Sequence, residues 1–154
     1  MALCPLRWRN VEESGFRRRT RLGYGLLAAL GIQSLFGTVM VDGPSMSPAL
    51  ESGAYLLLAK SPMLAGGIRP GDIVVIRDPA SGRTIVKRVY RTEGEDVDVW
   101  NAPLEYPGRE RLAPFRVPEG TVHVLGDNAL ESEDSRMFGP VPSSRIVGKV
   151  VARL

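Results

Sequence analysis

The sequence predicts a mostly β domain, a sandwich or partly closed barrel, behind one N-terminal transmembrane helix. Residues 22–41 (LGYGLLAALGIQSLFGTVMV) run for 20 residues without a charge, about the length a helix needs to cross ~30 Å of hydrocarbon. Beyond that run, short stretches rich in β-branched residues follow at close spacing, separated by Gly, Pro, Asp and Ser. Such spacing is expected of an all-β sandwich or barrel. No long apolar stretch of helical period recurs after residue 41, and no internal repeat is visible.

Charge is concentrated at one end. Residues 1–21 hold Arg7, Arg9, Arg17, Arg18, Arg19 and Arg21 against Glu12 and Glu13, and beyond them basic and acidic residues nearly balance. The net charge of +3 therefore belongs to the arm, which argues against nucleic acid as a partner. Arginines beside an apolar run mark the cytoplasm-like side of a membrane, so residues 42–154 are expected on the opposite side. A cleaved signal peptide has a shorter apolar core ending in small residues, whereas this run ends in Thr38-Val39-Met40-Val41. A buried helix of a soluble domain is the plain alternative. The expected organisation is a basic arm (1–21), a membrane anchor (22–41) in contact with lipid, and one compact domain (42–154).

Within that domain the expected strands come in order. Tyr55–Ala59 is a short apolar run; Asp72–Arg77 follows Arg69-Pro70-Gly71 and stops at Asp78-Pro79. Thr84–Arg91 follows the turn signal Ser81-Gly82, and Glu95–Trp100 alternates Val97 and Val99 with Asp96 and Asp98. Thr121–Leu125 and Ile146–Arg153 complete the set, while Asn101–Pro114, rich in proline and charge, reads as a loop or short hairpin.

Few residues are available for chemistry. Cys4 is the only cysteine, so neither an intrachain disulfide nor a cysteine-based metal site is possible. His123 is the only histidine and falls in a strand pattern, which suits a structural or surface role. No metal and no cofactor are expected. The lysines are Lys60, Lys87 and Lys149. In Thr84–Tyr90 strand alternation puts Lys87 on one face with Ile85 and Val89, and Arg88 on the other. An amine held against an apolar face loses hydration, which lowers its pKa and fits it to act as a general base near neutral pH. A lysine at a sheet edge, its head in water, is the competing reading. Ser45 sits in Gly43-Pro44-Ser45-Met46-Ser47-Pro48, a stiff stretch that can hold a hydroxyl toward a cleft, or simply a turn that ends the apolar run. A serine needs a neighbouring base to become a nucleophile, and a lysine can be that base. The polar stretch Gly126–Val141 offers Asp134 and Arg136 as a pair, and Ser132 or Ser135 as hydrogen-bond donors to a neutral amine. Its acidic spacing does not match a calcium loop.

The boxes Gly43-Pro44-Ser45-Met46-x-Pro48, Gly71-Asp72-Ile73-Val74, Lys87-Arg88-Val89 and Gly126-Asp127-Asn128…Ser132-x-Asp134-Ser135-Arg136…Gly139-Pro140-Val141 occur in that order. In this the chain resembles the type I signal peptidases, and within them the short mitochondrial inner membrane protease subunits. The resemblance implies a signal-peptidase-like β-barrel or sandwich catalytic domain and a membrane-anchored serine endopeptidase that removes signal peptides or presequences. It implies Ser45 as nucleophile, Lys87 as general base and Ser132 as the residue that orients the lysine. Asp134 and Arg136 are implied as a supporting pair, and the backbone N–H of Ser45 as an oxyanion donor. Gly43 stands where some bacterial relatives carry a serine that helps hold the oxyanion. The substrate is expected as an extended strand beside the Lys87 strand, touching Met46 and Val86. The implied partners are presequence-bearing precursors and a related second subunit. The implied location is the mitochondrial inner membrane with the catalytic domain in the intermembrane space, or a bacterial plasma membrane with the domain outside. The rival function is a non-catalytic, membrane-anchored subunit that binds presequences or stabilises a partner protease.

Overall fold

The computed structural model describes residues 35–98, 105–106 and 112–154. They form nine strands: β1 (Phe36–Met40), β2 (Tyr55–Ala59), β3 (Ile73–Arg77), β4 (Thr84–Thr92), β5 (Asp96–Val97), β6 (Phe115–Arg116), β7 (Thr121–Leu125), β8 (Val141–Pro142) and β9 (Ile146–Arg153), with one short helix, α1 (Ser135–Phe138). Seven strands make one antiparallel sheet in the order β1-β2-β9-β3-β4-β7-β8, and β5 pairs with β6 apart from it.

The last strand in sequence, β9, lies between β2 and β3, so it joins the β1–β2 pair to the rest of the sheet. Both faces are covered. One face packs Val74, Ile76, Val89, Val122, Val124 and Val141; the other packs Val41, Met46, Leu50 and Leu56, with Ile73 and Val86 against them. This explains why Val74, Val75 and Ile76 are all buried. A strand covered on both sides reads as a continuous apolar run and not as an alternation. The ladder slips by a residue at Leu57/Leu58, Val75/Ile76 and Val89/Arg91. Such bulges bend a sheet and sharpen its twist.

The expected strands at Tyr55–Ala59, Thr121–Leu125 and Ile146–Arg153 coincide with β2, β7 and β9, and those at Asp72–Arg77 and Thr84–Arg91 differ from β3 and β4 by one residue at one end. Two boundaries are corrected. Of the alternating stretch Glu95–Trp100 only Asp96–Val97 is strand among the described residues, because its partner β6 offers just two residues for pairing. Residues 36–40, which the sequence placed inside the anchor 22–41, form β1 and pair residue by residue with β2 from Phe36↔Ala59 to Met40↔Tyr55. Thr38 and Val39 are β-branched, and β2 presents an apolar edge at this register, so this end of the uncharged run satisfies its backbone in a ladder. The sheet therefore begins before residue 42. The arm and residues 22–34 lie outside the described residues. Among the described residues no helix is long and apolar enough to cross a membrane.

His123, on β7, is 1 % exposed. Its ring lies edge-on to Phe115 at 5.3 Å and to Tyr90 at 6.1 Å, which resolves the choice between core and surface in favour of the core. Burial, only partly offset by the Asp134 carboxylate, lowers its pKa to about 4. The unfolded chain thus takes up a proton near 6.5 that the folded chain refuses until about 4, so protonation favours unfolding. Stability is expected to be full above pH 6.5 and to fall by up to about 3 kcal/mol as pH drops toward 4. Urea titrations across that range check this, and His123→Gln should flatten the slope.

Candidate active site

The segment joining β1 to β2 carries Ser45. Its base is closed by Val41 N–H donating to Ala54 O (2.9 Å) and Gly53 N–H donating to Val41 O (2.8 Å). Val41, Met46 and Leu50 are driven into the core beside Leu56, so three apolar plugs fix a loop that has no regular structure. Gly43 turns the chain at φ +90°, a value that strains any residue with a Cβ. Ser45, next to the buried Met46, is left half-buried with its hydroxyl 2.8 Å from Lys87 Nζ.

Lys87 stands on β4 opposite Val74, on the face of Ile85 and Val89, and is 3 % exposed. Burial pushes its pKa below the ordinary lysine value, against the pull of the Asp134 carboxylate. Asp134 loses this contest, being itself held by cationic and N–H donors. Its carboxylate, 0 % exposed, accepts from Arg136 Nε (2.8 Å), Arg136 Nη2 (2.5 Å), Arg136 N–H (3.2 Å) and Gly126 N–H (2.9 Å). Burial alone would raise the Asp134 pKa, but the Arg136 and Gly126 bonds outweigh it and hold the group ionised. Arg136 acts on Lys87 in the opposite sense to Asp134. Desolvation is the largest influence on the lysine and exceeds the opposing pull of Asp134, which Glu133 and Asp78 join.

The turn after β7 ties this frame to the serine. Asn128 N–H donates to Ser45 O (3.0 Å). Gly126 is buried, and a Cβ there would overlap the Ser132 hydroxyl and come within 2.5 Å of Ser45 O. Ser132 Oγ is buried and, among the described residues, is not in hydrogen-bonding geometry with Lys87; its hydroxyl lies near enough to the Asp134 carboxylate to favour the ionised form. Ser135 Oγ instead accepts from Val124 N–H (3.0 Å), fastening α1 to β7. The structure thus brings Ser45, Lys87, Ser132, Asp134 and Arg136 together, without the Ser132–Lys87 hydrogen bond that the resemblance implies.

A cavity of about 90 Å³ opens beside Ser45, lined by residues 39–42 on one side and Thr84, Ile85 and Val86 on the other. Its walls are two open strand edges. Among the described residues β1 pairs only with β2, and residues 84–87 of β4 pair only with β3, since β7 takes up pairing from Arg88 onward. Val86 is half-buried on one wall. Met46 also lines the cavity but is 1 % exposed, so the expected substrate contact is corrected to a core residue that shapes the floor. The Ser45 N–H makes no backbone hydrogen bond among the described residues.

Sequence reasoning missed two supports. Arg88, known only to face away from Lys87, grips Asp127 in bidentate fashion (2.8 and 2.7 Å) and donates to Gly71 O (2.9 Å). That links three of the four motif boxes, and the box-by-box spacing held the signal without revealing the partner. The Arg136 guanidinium also stacks 4.5 Å from the Tyr106 ring, a contact between segments that no local pattern announces. The remaining lysines are accounted for differently: Lys149 Nζ pairs with Asp72 (2.7 Å), and Lys60 is exposed.

The model for the family described as "Signal peptidase, peptidase S26" matches residues 19–111 and 102–154. The chain is 33 % identical to mitochondrial ATP-independent inner membrane protease subunit 1a of Arabidopsis thaliana, over 96 % of this chain and 88 % of that one. It is 31 % identical to mitochondrial inner membrane protease subunit 1 of Homo sapiens, over 85 % and 76 %. With signal peptidase I of Bacillus amyloliquefaciens the identity is 34 %, over 79 % and 75 %. A crystal structure of a signal peptidase I from Enterococcus faecalis aligns over 55 % of this chain and 97 % of its own, at 25 % identity and a TM-score of 0.42.

Removing Arg136 leaves Asp134 charged and unpaired in the core. Arg136→Leu is expected to cost about 3–5 kcal/mol of stability, measured by denaturant unfolding. In whatever folds, Asp134 then acts on Lys87 unopposed, so the lysine pKa rises.

Proposed function

Because the chain belongs to the S26 signal peptidase family and is therefore a serine endopeptidase of that type, we propose that Ser45 and Lys87 are its catalytic dyad and that it removes signal peptides or presequences at a membrane surface. The 2.8 Å approach of Lys87 Nζ to Ser45 Oγ carries this reading. Unprotonated Lys87 takes the Ser45 proton as Oγ bonds to the scissile carbonyl carbon, and the oxyanion accepts from the Ser45 N–H. Collapse breaks the C–N bond, and Lys87 returns the proton to the leaving amine. Lys87 then deprotonates a water that attacks the Ser45 ester, and the acid product leaves with the hydroxyl restored. Asp134 and Arg136 support the lysine electrostatically. Ser132, beside Gly126, rotates its hydroxyl toward Nζ once the amine is neutral.

The precursor lies extended between β1 and residues 84–87, adding a strand through the two open edges, with Val86 on the wall. The uncharged residues before β1 hold the chain at the membrane; residues 22–35 reach only about 21 Å as a helix, so crossing ~30 Å of hydrocarbon also takes residues that flank them, and the arginines of 1–21 keep the arm on the cytoplasm-like side. The catalytic domain then faces the mitochondrial intermembrane space or, in a bacterium, the cell exterior. Two subunit names among the relatives fit a related second subunit as partner.

Detergent-solubilised protein should cleave a presequence-bearing precursor, and Ser45→Ala and Lys87→Met should each lose at least about 10³-fold in kcat/KM while remaining folded. A folded wild type inert toward several precursors, alone and with a related subunit, would instead support a binding role. The base works unprotonated, so kcat/KM is expected to rise with pH through one ionisation below the ordinary lysine range, which a pH–rate profile reads. Arg136→Leu should move that ionisation to higher pH.

A further inference from the structure

Of the described residues that line the cavity beside Ser45, one is charged, and the proposed chemistry does not use it. The walls are otherwise apolar, apart from the hydroxyls of Ser45 and Thr84, and Asp42 brings the single carboxylate. The backbone that carries it is fixed on both sides. Val41 is buried and bonded through its N–H to Ala54 O (2.9 Å) and through its O to Gly53 N–H (2.8 Å). Gly43 N–H donates to Ser52 Oγ (3.3 Å). Asp42 itself is exposed. Among the described residues its carboxylate enters no hydrogen bond or ion pair, not even with Arg77, which stands opposite Thr84 on β3. The base does not depend on this charge either. The charged groups that act most on Lys87 are Asp134, Arg136, Glu133 and Asp78. A solitary surface carboxylate needs no explanation, but one set at an apolar cleft between two open strand edges does.

Its position indicates what it meets. Asp42 precedes Ser45 by three residues, so their Cα atoms are at most about 11 Å apart. An extended peptide advances ~3.3 Å per residue, so a side chain within about three residues of the scissile bond comes beside Asp42. Charges at the rim of a binding surface set selection and register more than affinity. Selection works as much by rejecting the wrong partner as by attracting the right one. Resting on the reading of this cleft as the place where an extended precursor is cut, we propose that Asp42 is a specificity-determining residue. It favours precursors that carry lysine or arginine beside it and rejects those that carry glutamate or aspartate there.

The test uses the detergent-solubilised full chain and a neutral, alanine-rich presequence peptide. Lysine, glutamine or glutamate is placed in turn at each of the three residues on either side of the scissile bond. At one of these positions lysine is expected to exceed glutamate about fivefold or more in kcat/KM, mainly through KM, with glutamine between them. Asp42→Asn should abolish that preference and Asp42→Lys should reverse it. Glu119→Gln, in the turn between β6 and β7, should leave it unchanged. Unfolding transitions check each variant, and if Asp42→Lys does not fold, Asp42→Asn decides. Cleavage with no charge preference at any position, or with one that the Asp42 variants leave intact, overturns the inference while the protease stands. A preference that Glu119→Gln weakens as much belongs to net charge and overturns it too. A folded chain that cuts none of the peptides, the neutral parent included, removes the protease reading and the inference with it.

Discussion

The burial of Lys87 beside a charge-compensated carboxylate is the constraint on which the rest of this site depends. An amine 3 % exposed loses its proton readily only if no uncompensated anion sits nearby. The anion that acts on it most strongly, Asp134, is gripped by Arg136 through its Nε and Nη2 donors and by the Gly126 N–H. The fold therefore spends a buried ion pair to keep the lysine's surroundings electrically quiet. Such pairs seldom add net stability; on the proposed function the Asp134–Arg136 pair serves the lysine electrostatically.

That arrangement determines much of the architecture. Asp134 reaches Gly126 because the turn after β7 folds back on itself, and α1 is fastened by Ser135 to Val124 N–H. The same turn holds the serine loop through Asn128 and Ser45 O. Gly126 lies where Ser132 and the Ser45 backbone converge, so its lack of a side chain is a packing requirement and not one of backbone freedom. On the opposite face, Met46 locks the loop into the core beside Leu56. A hydroxyl on an irregular loop is thereby held by a backbone hydrogen bond on one side and a buried neighbour on the other.

The open edges of β1 and of residues 84–87 give the cleft its character. Unpaired strand edges are aggregation hazards that proteins usually cover. Here both edges border the cavity at Ser45, where an extended peptide would satisfy them. On the proposed function, binding of an extended segment and tolerance of an exposed edge are two aspects of one geometry.

The sequence by itself determined the strand pattern, because β2, β7 and β9 are set by β-branched runs bounded by turn residues, and local period suffices to see them. It also put forward Ser45, Lys87, Asp134 and Arg136 as candidates, through the resemblance of four ordered boxes to a known family and not through local pattern, which left the serine and the lysine open. Only the tertiary structure decided how these meet. The placing of β9 between β2 and β3, the capture of Phe36–Met40 by β2, and the Arg88–Asp127 grip all depend on partners distant along the chain. An uncharged stretch such as Phe36–Met40 satisfies its backbone equally well in a helix or in a ladder, and the exposed edge of β2, which no local pattern reveals, decides between them. For the same reason the desolvation of Lys87 was visible as a tendency of one strand face, whereas its magnitude relative to Asp134 was set by where Arg136 came to rest.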